Sequence, residues 1–166
     1  MGKQSSRADE LEVINRYSDM VYRMAFSLLK NRYDAEDIHQ EVFIRYLRKK
    51  PEFENRQHER AWFLQVTVNL CRNFWKTAWR QRVVSLGEEE LESGAGDGPE
   101  ETADEIVSVV KKLPRKYRAV IHLFYYEELS TEEIARVLNR KPSTVRAQLT
   151  RARSKLKELL AGINEE

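Results

Sequence analysis

A single cysteine, Cys71, stands among the 166 residues. No intramolecular disulfide can form, and the chain suits a reducing compartment. Four prolines and six glycines exclude collagen-like and proline-rich architectures. No apolar run approaches the roughly 20 residues of a membrane-spanning helix. The polar stretch from Met1 to Glu12 lacks the apolar centre of a signal peptide. The expectation is a soluble cytoplasmic protein without membrane insertion. A GxxxxGK[ST] loop for cradling nucleotide phosphates is missing as well. His39, His58, His122 and Cys71 do not fall at metal-ligand spacing, so neither metal nor cofactor is expected.

Charge, by contrast, is abundant. Lys, Arg, Asp and Glu make up 34% of the chain, against about 25% in an average soluble domain. The net charge of +2 conceals a segregation. Residues 1–84 hold 16 basic and 11 acidic side chains, residues 106–166 hold 13 and 7, and residues 85–105 hold nine acids and no Lys or Arg. Gly87, Gly94, Gly96, Gly98 and Pro99 share that acidic stretch. Such a composition cannot bury enough apolar surface to offset the entropy of ordering it. Roughly Ser85 to Thr102 therefore reads as a flexible, self-repelling linker. Two basic lobes on a tether point to a polyanion touched in two places.

Hydrophobic spacing is helical throughout. The expected fold class is all-α: two small helical domains, residues 1–84 and 105–166, joined by the acidic linker at 85–104. In the first, Leu11, Ile14, Val21, Met24 and Leu28 mark one face of a helix from about Ala8 to Lys30. Asp34 is the expected N-cap of a second helix, with Ile38, Val42, Phe43, Tyr46 and Leu47 as its apolar face and Pro51 as its stop. A polar loop is expected over Glu52 to Glu59. A third helix follows from about Arg60 to Arg82, burying Phe63, Val66, Leu70 and Phe74. Its other side carries Gln65, Asn69, Asn73, Lys76 and Arg80 at three- and four-residue steps. Asn can donate to and accept from a base edge, while Lys and Arg hold phosphates. Trp62, Trp75 and Trp79 lie beside this stripe, either as core or as platforms for unpaired bases. The second helix differs: Asp34, Glu36, Asp37, Gln40 and Glu41 make an acidic patch in a basic lobe. DNA would repel it and a basic protein surface would attract it. Glu41 lies four residues before Arg45, so intrahelical pairing is the plainer reading.

In the second domain, Leu113 to Arg118 opens a helix reaching Glu127 and presenting Arg115 and Lys116. Ser130-Thr131-Glu132-Glu133 forms a capping box. A short helix over Thr131 to Leu138 follows, ended by Asn139 in the left-handed conformation. Pro142 suits the first turn of the next helix, which runs to about Leu160 and buries Val145, Leu149, Ala152, Leu156 and Leu159. Two helices at a tight turn, the second basic, spell helix-turn-helix. Arg146 and Gln148 are placed to read guanine and adenine. Lys141, Thr144, Arg153 and Lys155 are placed for phosphates.

With these blocks in order, the chain resembles the extracytoplasmic-function group of bacterial sigma factors. YDAEDIHQEVFIRYLR at 33–48 is similar to that family's core-binding helix. AWFLQVTVNLCRNFW at 61–75 is similar to its promoter-melting helix, and residues 113–157 resemble its region four. The resemblance implies that 1–84 is region two, that 105–166 is region four, and that the protein helps open the minus-ten DNA. It implies that Asp37, Gln40 and Glu41 grip the beta-prime coiled coil of core RNA polymerase. Asn69 and Asn73 would contact the unwound non-template strand, joined by Lys76 and Arg80, while Asn55, Arg56, Gln57 and His58 would enclose a flipped minus-ten base. Arg146, Ala147, Thr150 and Arg151 would face the minus-thirty-five element, with Arg115, Lys141, Thr144, Gln148 and Arg153 around them. Region four would also dock on the beta flap. An anti-sigma factor clasping both lobes is a further implied partner. Where many members have Gly-Ile or Gly-Val in the turn, this chain has Asn139-Arg140, which removes an apolar contact and offers a phosphate one. Ala147 can offer a base only an apolar contact.

Two other classes compete. A stand-alone helix-turn-helix regulator would leave the acidic patch and the Asn stripe unexplained, and no dimerisation heptads are evident. A metal-dependent hydrolase using Glu36, Asp37 and Glu41 would need a second bank of oxygen ligands. The third helix offers none, since no Asp or Glu occurs between Glu59 and Glu88.

Overall fold

The computed structural model of the chain describes residues 6–85 and 105–164. The expected linker lies outside the described residues. Every regular element among them is helical. The helices are α1 (Arg7–Leu29), α2 (Arg32–Lys49), α3 (Arg56–Ser85), α4 (Glu105–Lys111), α5 (Arg115–Ile121), α6 (Thr131–Leu138) and α7 (Pro142–Asn164), with one π-helical turn at His122–Tyr126. The described residues form two compact units: 6–26 with 32–85, and 27–31 with 105–164.

In the first unit the three long helices bury one aromatic and aliphatic core. Val21, Met24 and Ala25 of α1, Ala35, Val42 and Phe43 of α2, and Phe63, Leu64, Val68 and Cys71 of α3 are all buried. Phe63 is the hub: its ring lies 4.7 Å from Tyr17, 5.5 Å from Phe43 and 5.3 Å from Tyr46, centroid to centroid. The first pair is stacked and the other two are tilted, at separations where aromatic rings attract one another. Four expectations need correction. Val66 and Phe74, expected in the buried stripe of α3, are only half-buried. Leu11 and Leu47 were assigned to apolar faces but are exposed. Asp34 is not an N-cap, because α1 ends at Lys30 in the left-handed region (φ 58°) and α2 has already begun at Arg32. The loop expected through Glu59 is shorter, since Asn55 Oδ1 accepts from the His58 N–H at 2.8 Å and starts α3 at Arg56.

The second unit is built around Val109, Leu113, Val120, Leu123, Ile134, Leu138 and Val145, all buried. The capping box is formed: Ser130 Oγ accepts from the Glu133 N–H at 3.2 Å, and Glu133 Oε1 accepts from the Ser130 N–H at 3.2 Å. Asn139 adopts the left-handed conformation (φ 55°, ψ 53°) and terminates α6. The helix expected to run on to Glu127 instead changes to π geometry at His122, where His122 Nε2 lies 3.2 Å from Glu127 Oε1 and both side chains are buried. Two further features were not anticipated. α4 adds Val109 to the core. Arg118 is buried and donates to the carbonyls of Leu113 (2.7 Å), Ser27 (2.7 Å) and Leu28 (2.8 Å), the last two in the segment that clusters with this unit. Burial, and then the charge of Arg115, lower its pKa to about 10.

Candidate functional site

The residues singled out in the sequence fall on three surfaces. On α2, Glu36, Asp37 and Gln40 are exposed and Glu41 is half-buried. Glu41 pairs with Arg45 at 3.6 Å and Glu36 with Arg32 at 3.3 Å, both at helical i,i+4 spacing. These exposed pairs are worth a few tenths of a kcal/mol each, so little is lost if an incoming cation takes a carboxylate away. The intrahelical reading and the docking reading of this ridge are compatible.

On α3, Gln65, Asn69, Asn73, Lys76 and Arg80 are all exposed, and Phe63, Leu64, Val68 and Cys71 are buried beneath them. The helix thus turns a face with amide and cationic groups, and no carboxylate, towards solvent. Trp62 is half-buried and makes edge contacts with Tyr46, Phe53 and Phe63, which places it in the aromatic cluster. Trp75 is half-buried too, and the Trp79 side chain lies outside the described residues. Cys71 is fully buried, and burial pushes its thiol up to about 12.

At the start of α3, Arg56 and Gln57 are exposed. Asn55 is occupied as the helix cap. His58 Nδ1 accepts from the Glu54 N–H at 3.3 Å, and its ring meets Phe53 edge-on at 5.5 Å. The sequence reading overlooked Glu59. Its Oε1 accepts from the Tyr17 hydroxyl at 2.6 Å and from Arg16 Nη1 at 3.1 Å, so it ties the start of α3 to α1. Burial, and then the hydrogen bond to Glu59, push the Tyr17 phenol up to about 12. Only the distance between α1 and α3 in sequence hid this cluster.

In the second unit, Arg146, Ala147, Thr150 and Arg151 are exposed on α7 opposite the buried Val145, Leu149 and Ala152. Thr150 Oγ1 donates back to the Arg146 carbonyl at 3.0 Å. Lys141 and Thr144 are exposed at the start of α7, and Arg115 is exposed at the start of α5. Arg153 sits over the Phe124 ring (5.3 Å) and the Tyr125 ring (5.6 Å), and its Nε donates to the Tyr125 hydroxyl at 2.7 Å. Gln148 is half-buried on the flank of the helix, its Oε1 accepting from Arg140 Nη1 at 2.7 Å. Among the described residues no group of three or more His, Cys, Asp and Glu could hold a metal ion, and no helix is long and apolar enough to cross a membrane.

Comparison with known proteins follows the same division. Residues 13–81 match the family description of sigma-70 region 2, and residues 103–156 match that of sigma-70 region 4. The chain is 31% identical to the ECF RNA polymerase sigma factor SigW of Bacillus subtilis, over 95% of this chain and 94% of the relative. It is 32% identical to the ECF RNA polymerase sigma factor SigE of Mycolicibacterium smegmatis, matching over 99% of its own length but spanning only 66% of that protein. Among solved structures, the sigma factor RpoE of Bartonella quintana, in complex with the anti-sigma factor NepR, shares the fold. The TM-score is 0.69 at 21% identity, covering 92% of this chain and 97% of that one. The two matched regions and the full-length relatives together show that the chain belongs to the extracytoplasmic-function RNA polymerase sigma factors, a non-catalytic family that binds the polymerase and directs it to promoters.

Proposed function

We propose that the two units divide the work of promoter recognition between them. The α2 ridge of Asp37, Gln40 and Glu41 docks on the beta-prime coiled coil of core polymerase, with region four on the beta flap. The α7 face, with Arg146, Ala147, Thr150 and Arg151, sits in the major groove at the minus-thirty-five element. Arg115, Lys141, Thr144 and Arg153 hold flanking phosphates. The α3 stripe receives the non-template strand as the minus-ten duplex opens, and Asn55, Arg56, Gln57 and His58 border the pocket for a flipped base. The observation that carries this reading is the α3 face itself. Gln65, Asn69, Asn73, Lys76 and Arg80 are all exposed along one side of a helix with no Asp or Glu beyond Glu59. Asn amides hydrogen-bond unpaired base edges, and the two cations hold the strand's phosphates.

No nucleotide-driven step is needed. Capturing extruded bases offsets unstacking costs of a few kcal/mol. The structural relative RpoE is held by an anti-sigma factor, and a similar clasp is the expected off-state of this protein.

Base opening is measured directly by the fluorescence of 2-aminopurine placed in the minus-ten segment. Holoenzyme with the wild-type protein should raise the signal. Asn69→Ala with Asn73→Ala should lower the opened fraction about tenfold or more while leaving binding to core unchanged. Undiminished opening by that double variant would remove α3 from the melting step.

A further inference from the structure

Arg140 occupies a position fixed by the backbone. Its N–H donates to the Ala135 carbonyl at 2.9 Å, and the Asn139 N–H reaches the Arg136 carbonyl at 3.4 Å. With Asn139 left-handed, these two bonds form a Schellman ending for α6. The residue at Arg140's place in that motif is commonly apolar and packs back onto the helix it terminates. An arginine puts a charged head at that place, and here the head goes forward across the turn to Gln148, eight residues on and two turns into α7. The 2.7 Å bond is partly buried. It also settles which way the Gln148 amide faces. A guanidinium has only donors, so the atom opposite it is the carbonyl oxygen.

That orientation bears on what Gln148 can do. Reading adenine takes the amide oxygen and nitrogen together, one accepting from N6 and the other donating to N7. In this structure the oxygen is engaged by Arg140, and the side chain lies on the flank of α7, beside the buried Val145 and Leu149 and off the exposed Arg146–Ala147–Thr150 face. The bond also fixes an otherwise flexible arginine. It holds the guanidinium beside Gln148, which lies one helical turn on from the exposed Thr144.

Resting on the promoter-binding reading above, we propose that Gln148 is a positioning residue. It aims Arg140 at a DNA phosphate beside the minus-thirty-five site and does not itself read a base. Arg140 and Gln148 then act as one phosphate contact contributed by the turn, tuned by an acceptor on the recognition helix.

The test uses holoenzyme reconstituted from the full chain and core polymerase. A promoter library randomised over the minus-thirty-five segment is selected and sequenced, and the affinity for the winning duplex is followed with salt. Arg140→Ala should weaken binding severalfold and lower the log–log salt slope by about 0.9, the share of one phosphate. Gln148→Ala should do the same in part, with an unchanged base preference at every position. Gln148→Met, which keeps the shape and removes the acceptor, should match Gln148→Ala. The double variant Arg140→Ala/Gln148→Ala should be no weaker than Arg140→Ala alone. A base preference that shifts at one position in Gln148→Ala or Gln148→Met would overturn the inference in favour of base reading. Strictly additive losses, or a salt slope untouched by Arg140→Ala, would overturn it too. Wild-type holoenzyme that selects no sequence at all would instead overturn the promoter-binding reading, and the inference with it.

Discussion

Two residues of the first unit, one buried and one half-buried, show how environment sets chemistry. Cys71, on the core side of α3, has zero exposure, and burial pushes its thiol up to about 12. The thiolate is the reactive form. A thiol reagent at neutral pH should therefore leave the folded protein unmodified over hours and label it within minutes in denaturant. Rapid labelling of the native chain would contradict that burial. His39 is half-buried, with its Nε2 2.9 Å from Ser18 Oγ and its ring edge-on to Tyr22 and Phe43. Desolvation lowers its pKa, only partly opposed by Ser18, Asp19 and Glu36. The unfolded chain then binds more protons than the folded one below the ordinary histidine pKa of about 6.5. The contribution of His39 to stability is complete above that value and is lost as the pH falls towards the lower folded pKa. All three tryptophans, at 62, 75 and 79, lie in α3, so their emission follows this unit alone. Urea midpoints read by Trp fluorescence should drop between pH 7.5 and 5.5, and His39→Gln should flatten the drop. Equal slopes for both proteins would contradict the assignment.

Helix ends were legible where side-chain chemistry is local, and illegible where the tertiary structure intervenes. The capping box at Ser130, the left-handed Asn139 and Pro142 as the first residue of α7 all follow from residues within four positions of one another, and all are present. Asp34 has the same local signature, yet α2 starts two residues earlier because Lys30 takes the left-handed turn that ends α1. Asn55 was placed by family resemblance in a loop around a flipped base and not read as the cap it supplies to α3. The π turn at His122–Tyr126 leaves no periodic trace, and the buried His122–Glu127 contact beside it is visible only in three dimensions. At this scale Ser130→Ala should cost about 1 kcal/mol, or about 4–8 °C for a domain of this size. Asn139→Gly should be nearly neutral, and Asn139→Ala should destabilise through its positive φ. Hydrogen exchange of the α6 amides checks all three. Ser130→Ala without faster exchange would mean that the cap adds nothing to α6.

At the scale of the whole molecule, helical periodicity in both basic stretches was sufficient to indicate an all-α chain, and the acidic, glycine-rich segment was read as a linker between two helical units. The exposed faces of α3 and α7 were also legible, since polar residues at three- and four-residue steps fix a helix face wherever the opposite face is apolar. The cross-links were not. Glu59 to Tyr17 and Arg16, Arg140 to Gln148, and Arg153 to Tyr125 join residues whose pairing no local spacing encodes. The acidic ridge of α2, for which DNA binding offers no purpose, is the surface the proposed function assigns to core polymerase. In the proposed function that ridge joins the polymerase to the two helices assigned to DNA, so the docking proposal is tested there first.

The most direct measurement is run-off transcription by purified bacterial core polymerase on genomic fragments, with the wild-type protein and with Asp37→Arg, alongside direct binding of each to core. Asp37 is exposed on α2, so the substitution leaves the fold intact while reversing the charge. Defined start sites that need the wild-type protein, and that vanish with Asp37→Arg together with at least a tenfold loss of core binding, are the predicted result. Undiminished transcription and core binding by Asp37→Arg would contradict the proposed docking surface. Sequence-specific DNA binding by a wild-type protein that does not bind core at all would contradict the account as a whole.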